Sequence, residues 1–181
     1  MPEASQPEID IRTDSAAWSD PAGPAAGSDA LVRAAALAAL AGSEVAGGPV
    51  EVSVLLTDDA AVAALNAEWR GREGPTNVLS FPGDDVPDHA PPGARLPDRP
   101  VLLGDVVVAY ETVLREAVAG GLPFADHLRH LIVHGVLHLL GYDHESEAEA
   151  EEMEGLETEI LATLGVSDPY AASDPLRERV T

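Results

Sequence analysis

"VLLGDVVVAY", Val101 to Tyr110, is a nearly unbroken apolar run rich in β-branched residues. A strand with one wet face alternates apolar and polar side chains, whereas a strand buried on both faces reads continuously. The run is therefore placed as a strand in the middle of a sheet. Its neighbours in sequence supply the rest of that sheet. "VEVSVLL" (50–56) alternates with β-branched residues and reads as a strand, and "TNVLSFP" (76–82) as another. "EIDIR" (8–12) is a possible edge strand in an N-terminal segment, 1–28, that is otherwise rich in Pro, Ala, Gly and Ser and expected to be partly ordered.

Helices fill the intervals. "DALVRAAALAALA" (29–41) reads as a helix with Asp29 as N-cap and Gly42 just past its end. "TDDAAVAALNAEWR" (57–70) begins on a capping residue and carries apolar positions 62, 65 and 69 at helical spacing. Residues 83–100 are proline-rich and read as an exposed loop. After the central strand come a helix over 111–121 and a second, "LPFADHLRHLIVHGVLHLLG" (122–141), with Pro123 at the first helical position and Gly141 as the left-handed stop. A last helix starts at the capping box Ser146-x-x-Glu149 and buries Met153, Leu156, Ile160 and Leu164. Residues 166–181 read as a flexible tail. The pattern implies an α+β fold, or a three-layer α/β sheet: a mixed, mostly four-stranded sheet flanked by about five helices, in one domain spanning 29–165.

Composition narrows the chemistry. The chain lacks cysteine, which excludes thiolate metal sites, disulfides and Cys nucleophiles. It lacks any apolar stretch near the ~20 residues of a membrane span, and its acidic start is unlike a secretory signal. A cytoplasmic protein without membrane contact is the expectation. The net charge is −22, and all ten basic residues are arginine. A field of that sign repels phosphate backbones at long range. On composition alone, a small-molecule or peptide enzyme is favoured over an RNA binder, and DNA is not an expected partner.

Three of the six histidines fall within eleven residues, in "HGVLHLLGYDH" (134–144). Residues four apart share a helix face, so His134 and His138 can address one ion. The stop at Gly141 lets the chain return His144 to the same point. Three nitrogen donors with a fourth position open is the layout of a catalytic zinc site, where the pKa of a bound water falls to about 7. The pair at 134 and 138 alone reads as a buried helix ahead of a metal site; the third histidine turns the reading to metal. Gly135 adds to it, since a mid-helix glycine costs ~1 kcal/mol against alanine and asks for a close approach by another backbone or a substrate. It also occupies the place where HExxH proteases carry their general base. His130, four residues before His134, reads as a polar flank or a partner behind the ligands, and His127 and His89 as exposed. Asp143 and Glu145 are the nearby acid/base candidates, although solvated turn charges explain them more simply.

At this point "HGVLHLLGYDH" resembles the signature of the YbeY family of bacterial single-domain endoribonucleases and rRNA maturation factors. "LNAEWRGREGPTNVLSFP" (65–82), "LLGDVVVA" (102–109) and "MEGLETEILATLG" (153–165) are similar to three further blocks of that family in the same order. The resemblance implies a mixed sheet flanked by helices and one Zn2+ per chain held by His134, His138 and His144. It implies an RNA-engaging arginine at Arg70, so that Arg70 and the three histidines form the catalytic set. Its implied role is processing of the 16S rRNA 3′ end and ribosome quality control, with rRNA and a ribosomal subunit or ribosome-associated proteins as partners.

Read from the residues, Arg70 fits the C-terminal end of a helix dipole as well as it fits a substrate contact. Arg70, Arg72 and Arg129 together could hold a phosphodiester in an acidic protein. Thr76, Asn77 and Ser80 are weaker cleft candidates. Two other functions use the same histidines: a metallohydrolase of peptides or small molecules, and a non-catalytic ribosome assembly factor with a structural metal.

Overall fold

The computed structural model describes residues 6–44, 49–86 and 91–171. Its strands are β1 (Glu8–Thr13), β2 (Val50–Thr57), β3 (Val78–Pro82) and β4 (Val101–Ala109), and its α-helices are α1 (Ser28–Gly42), α2 (Asp59–Arg70), α3 (Tyr110–Gly120), α4 (Phe124–Leu139) and α5 (Glu147–Thr163). The strands form one mixed sheet of order β1-β2-β4-β3. β4 is interior, parallel to β2 and antiparallel to β3. Val106 and Val108 face the main core, while Val107 and Ala109 face a smaller one with Val62 of α2 and Leu79 of β3. Cover on both faces is why the strand is apolar nearly throughout, with Asp105 as the exposed exception. The fold is α+β, with the four-stranded sheet and five helices that the sequence implied.

α4 is the helix around which the main core is organised. It packs on α1, α3 and α5 and lies across β3 and β4. Leu128, Ile132, Val133, Val136 and Leu137 are fully buried, leaving only a stripe of polar positions to look outward.

Several local expectations shift. The N-cap of α1 is Gly27, in a left-handed conformation at φ 77°, rather than Asp29. The Ser28 hydroxyl turns back to donate to the Ala25 carbonyl. α2 is capped by the Asp58 side chain, which accepts from the Ala61 N–H, while Thr57 stays in β2. Trp69, expected on the apolar stripe of α2, is 67 % exposed. The N-terminal segment is tied down: β1 takes the sheet edge beside β2, and the buried Trp18 donates its indole N–H to Thr57 O at 2.8 Å. In the proline-rich loop Leu96 is buried in the core, so that loop is not wholly exposed; residues 87–90, His89 among them, lie outside the described residues. The tail does not fray at once, because Val166 is buried and Tyr170 reaches back to α5. Residues 172–181 lie outside the described residues. No helix among the described residues is long and apolar enough to cross a membrane.

Candidate metal centre

Two features of α4 place the histidines. Gly135 lies where the helix meets the sheet: a Cβ there would stand 2.8 Å from Val106 Cγ1 and 3.2 Å from Ser80 Oγ. The close approach comes from sheet side chains rather than from a backbone or a substrate. Ser80 donates its hydroxyl to the Gly135 carbonyl at 2.9 Å, so the helix is pinned to β3 between the first two histidines. The second feature is the stop. Gly141, at φ 93°, closes the helix with bonds from Gly141 N to His138 O and from Tyr142 N to Leu137 O, the paired pattern that satisfies the last helical carbonyls. The chain then returns His144 beside the helix, 5.6 Å from His134 and 5.0 Å from His138 between ring centres.

Hydrogen-bond partners fix the protons. His138 Nδ1 faces the Tyr142 carbonyl at 2.9 Å, and a carbonyl can only accept, so Nδ1 carries the hydrogen. His134 Nδ1 faces the Glu157 carboxylate at 2.5 Å and donates to it. In their neutral forms both rings therefore present a bare Nε2 lone pair, and these two atoms stand 3.0 Å apart. Two lone pairs at that distance repel unless a positive centre lies between them. Two nitrogens on one tetrahedral zinc, at roughly 2.0–2.1 Å each, would stand about 3.3 Å apart, close to what is found. One donor atom from each of His134, His138 and His144 lies within 4.8 Å of the others, so the trio could hold a metal ion.

Behind the trio sits Glu157 of α5, with no exposed side-chain surface. Its second oxygen takes His130 Nε2 at 3.0 Å and the Tyr170 hydroxyl. Burial pushes the carboxyl up, but the bonds from His130, His134 and Tyr170 outweigh it and hold the pKa down at about 2. His138 is displaced to about 4, first by burial and then by its neighbours His134 and His144. Both shifts keep the groups in the states a metal centre requires, Glu157 as an anionic carboxylate and His138 as a neutral imidazole.

The profile that describes endoribonuclease YbeY matches residues 27–165. The chain belongs to that family. An endoribonuclease YbeY of Rhodospirillum rubrum is 56 % identical over 148 residues, covering 78 % of this chain and 72 % of the relative. One from a Bradyrhizobium species is 48 % identical and spans 97 % of this chain and 99 % of its own length. The fold also matches a solution structure from Thermotoga maritima with a TM-score of 0.53 at 25 % identity, over 92 % of this chain and 97 % of the other.

The other site candidates fall unevenly in this chain. Arg70 is the last residue of α2, Arg72 follows the left-handed Gly71, and both are exposed. Arg12, Arg33, Arg95, Arg99, Arg115 and Arg129 each pair with an aspartate. Among the described residues Arg70 and Arg72 are the two arginines without an acidic partner. Arg129 is held by Asp126 at 2.9 Å. Asn77 donates to Glu116, and Ser80 to Gly135, so both side chains have structural partners. His127, expected to be exposed, is mostly covered and meets Glu116 at 2.7 Å. Asp143 accepts from the His144 backbone N–H and shapes the returning turn. Glu157 was the residue that sequence reasoning missed. Its only signal was position: it lies on the apolar stripe of α5, four residues after Met153.

Proposed function

We propose that this chain is a zinc-dependent endoribonuclease that hydrolyses phosphodiester bonds in single-stranded rRNA, with His134, His138 and His144 holding one Zn2+ per chain. The observation that carries the reading is the pair of bare Nε2 atoms of His134 and His138 at 3.0 Å, joined by His144. Three imidazole donors suit zinc among the common divalent ions, and cysteine is absent from the chain. When bound, such an ion polarises a phosphoryl oxygen and makes hydroxide available near neutral pH.

The residues of the chain supply the rest. The Tyr142 carbonyl holds the ring of His138 in the tautomer that points its lone pair into the centre. Arg70 and Arg72, exposed and without acidic partners among the described residues, grip the phosphate through charge-assisted hydrogen bonds and offset charge that develops in the transition state. Arg129 is already engaged by Asp126, which offsets its charge. No carboxylate follows His134 on the helix, which removes the general base of the HExxH proteases and supports phosphodiester over peptide chemistry.

The substrate assigned is rRNA, notably the 3′ end of 16S rRNA, in a cytoplasmic setting where ribosome quality control takes place. A net charge of −22 complements basic ribosomal proteins and supports docking on a ribosomal subunit through protein contacts. The test is metal analysis of the purified protein together with digestion of a structured rRNA fragment by wild type, His138→Ala and Arg70→Ala. Stoichiometric zinc in wild type, loss of zinc and of cleavage in His138→Ala, and cleavage weakened by about 10–100-fold in Arg70→Ala are expected. Equal cleavage by all three would assign the activity to a contaminating nuclease.

A further inference from the structure

Glu157 is the one ionisable side chain buried among the described residues. Moving a carboxylate out of water costs several kcal/mol unless it is paired and hydrogen-bonded. No arginine among the described residues meets it; its partners there are His130, His134 and the Tyr170 hydroxyl. All three can donate, and together they occupy both oxygens. One oxygen serves His134 alone, while the other is held from the far side by His130 and Tyr170.

We propose that Glu157 is a positioning residue of the metal centre: it locks His134 in the Nδ1–H form with Nε2 aimed at His138 and His144, and Tyr170 and His130 lock Glu157. The inference rests on the reading of the three histidines as metal ligands. If His134 carried its hydrogen on Nε2 instead, an N–H would point into the centre and block coordination. A carboxylate behind a ligating imidazole also raises the basicity of the ligand, and such outer partners are worth about 10–100-fold in metal affinity. The arrangement joins two helices, because His134 comes from α4 and Glu157 from α5.

Tyr170 lies beyond residue 165, where the match to the family ends. Asp168 holds this short segment in place by accepting from the Tyr170 N–H at 2.9 Å and from the Thr158 hydroxyl at 3.3 Å. The C-terminal extension of this chain thus supplies a donor to the residue behind the centre.

The experiment uses full-length protein with 15N-labelled histidine. Long-range 1H–15N correlation of the metal-free form, at alkaline pH where free imidazole is neutral, reads the tautomer of His134. Competition with a chromophoric chelator reads zinc affinity. Wild type is expected to show His134 as Nδ1–H. Glu157→Leu should lose that form and bind zinc about 10–100-fold more weakly. Glu157→Gln keeps an acceptor oxygen and should restore the Nδ1–H form and most of the affinity. Tyr170→Phe should fall between wild type and Glu157→Leu. Wild-type tautomer and affinity in Glu157→Leu would overturn the proposal. So would a Glu157→Gln protein no better than Glu157→Leu in both readouts, which would leave Glu157 a structural residue. Failure of the wild type to bind zinc would remove the metal reading and this inference with it; normal binding by wild type and Glu157→Leu alike would remove the inference alone.

Discussion

Gly135 of α4 sits so near Val106 of β4 that an added Cβ would stand 2.8 Å from the valine Cγ1. Val106 is fully buried and stiff at χ1, so it has little room to yield. Alanine at 135 would gain ~1 kcal/mol in helix propensity and lose about 1–3 kcal/mol to overpacking. Gly135→Ala is therefore expected to be less stable by about 1 kcal/mol, and Gly135→Val by clearly more. Urea unfolding of the metal-free proteins measures this. An alanine variant more stable than wild type would show that the helix is not held by that contact.

Ser80→Ala removes the hydroxyl that pins α4 to β3 through the Gly135 carbonyl. The expected cost is about 1 kcal/mol of stability, with KM for RNA unchanged. A rise in KM at unchanged stability would return Ser80 to the substrate cleft.

Acid should destabilise the metal-free protein in two separate windows. His138 is held to about 4 in the folded state, below its ordinary 6.5, so the unfolded chain binds more protons between those values. Stability falls as pH drops from about 6.5 towards 4, by at most about 1.4 kcal/mol per pH unit from this group. Glu157, held at about 2, contributes stability that is complete above about 4.5 and lost as pH falls towards 2. Denaturation midpoints from pH 7.5 to 3 for wild type and His138→Asn report the first window as a difference between them. Parallel curves would mean that His138 titrates normally.

Zinc at about 100 times its Kd should raise the unfolding free energy by about 2.7 kcal/mol, and at 1,000 times by about 4.1 kcal/mol. His134→Ala and His144→Ala should lose most of that increment, and a chelator should reverse it in wild type. Thermal unfolding against zinc concentration tests this, and an unchanged increment in the histidine variants would place the ion elsewhere.

Arg70→Ala is expected to lower kcat/KM on RNA by about 10–100-fold, the loss of one charged hydrogen bond of about 1.5–3 kcal/mol. Arg70→Lys should recover little, because lysine cannot reproduce the planar fork. Arg72→Ala should cost less than Arg70→Ala, and Arg129→Ala least, since Arg129 already serves Asp126. Steady-state cleavage of a short single-stranded RNA ranks the three. A dominant effect at Arg129 would reverse the assignment.

The parts of this molecule that were legible in sequence are those set by local rules. The histidine trio follows from helical spacing and a glycine stop, and the interior place of β4 follows from its unbroken apolar run. What depends on packing between distant segments was hidden. Glu157 is one of eight glutamates between 145 and 159, and only the docking of α5 on α4 singles it out. Trp69 carries an apolar side chain at a helical interval, yet in the fold it meets the Phe81 ring at 6.4 Å between centres and is otherwise left 67 % exposed. That Arg70 and Arg72 have no acidic partner among the described residues is likewise a tertiary property, since it depends on where the other six described arginines find aspartates.

The return of His144 only ten residues after His134 has a consequence for the order in which the centre comes together. Closing so short a loop takes little chain entropy, and the Gly141 stop supplies the bend. The three donors can gather once α4 and its final turn have formed, before β1 has found its place at the sheet edge. Glu157 can join only when α5 docks on α4. On that sequence of events an ion captured early would act as a staple for the end of α4 during folding, and amide exchange at Leu140–Tyr142 should slow on zinc addition far more than in β1. The ion would then shape the protein that holds it before any RNA arrives.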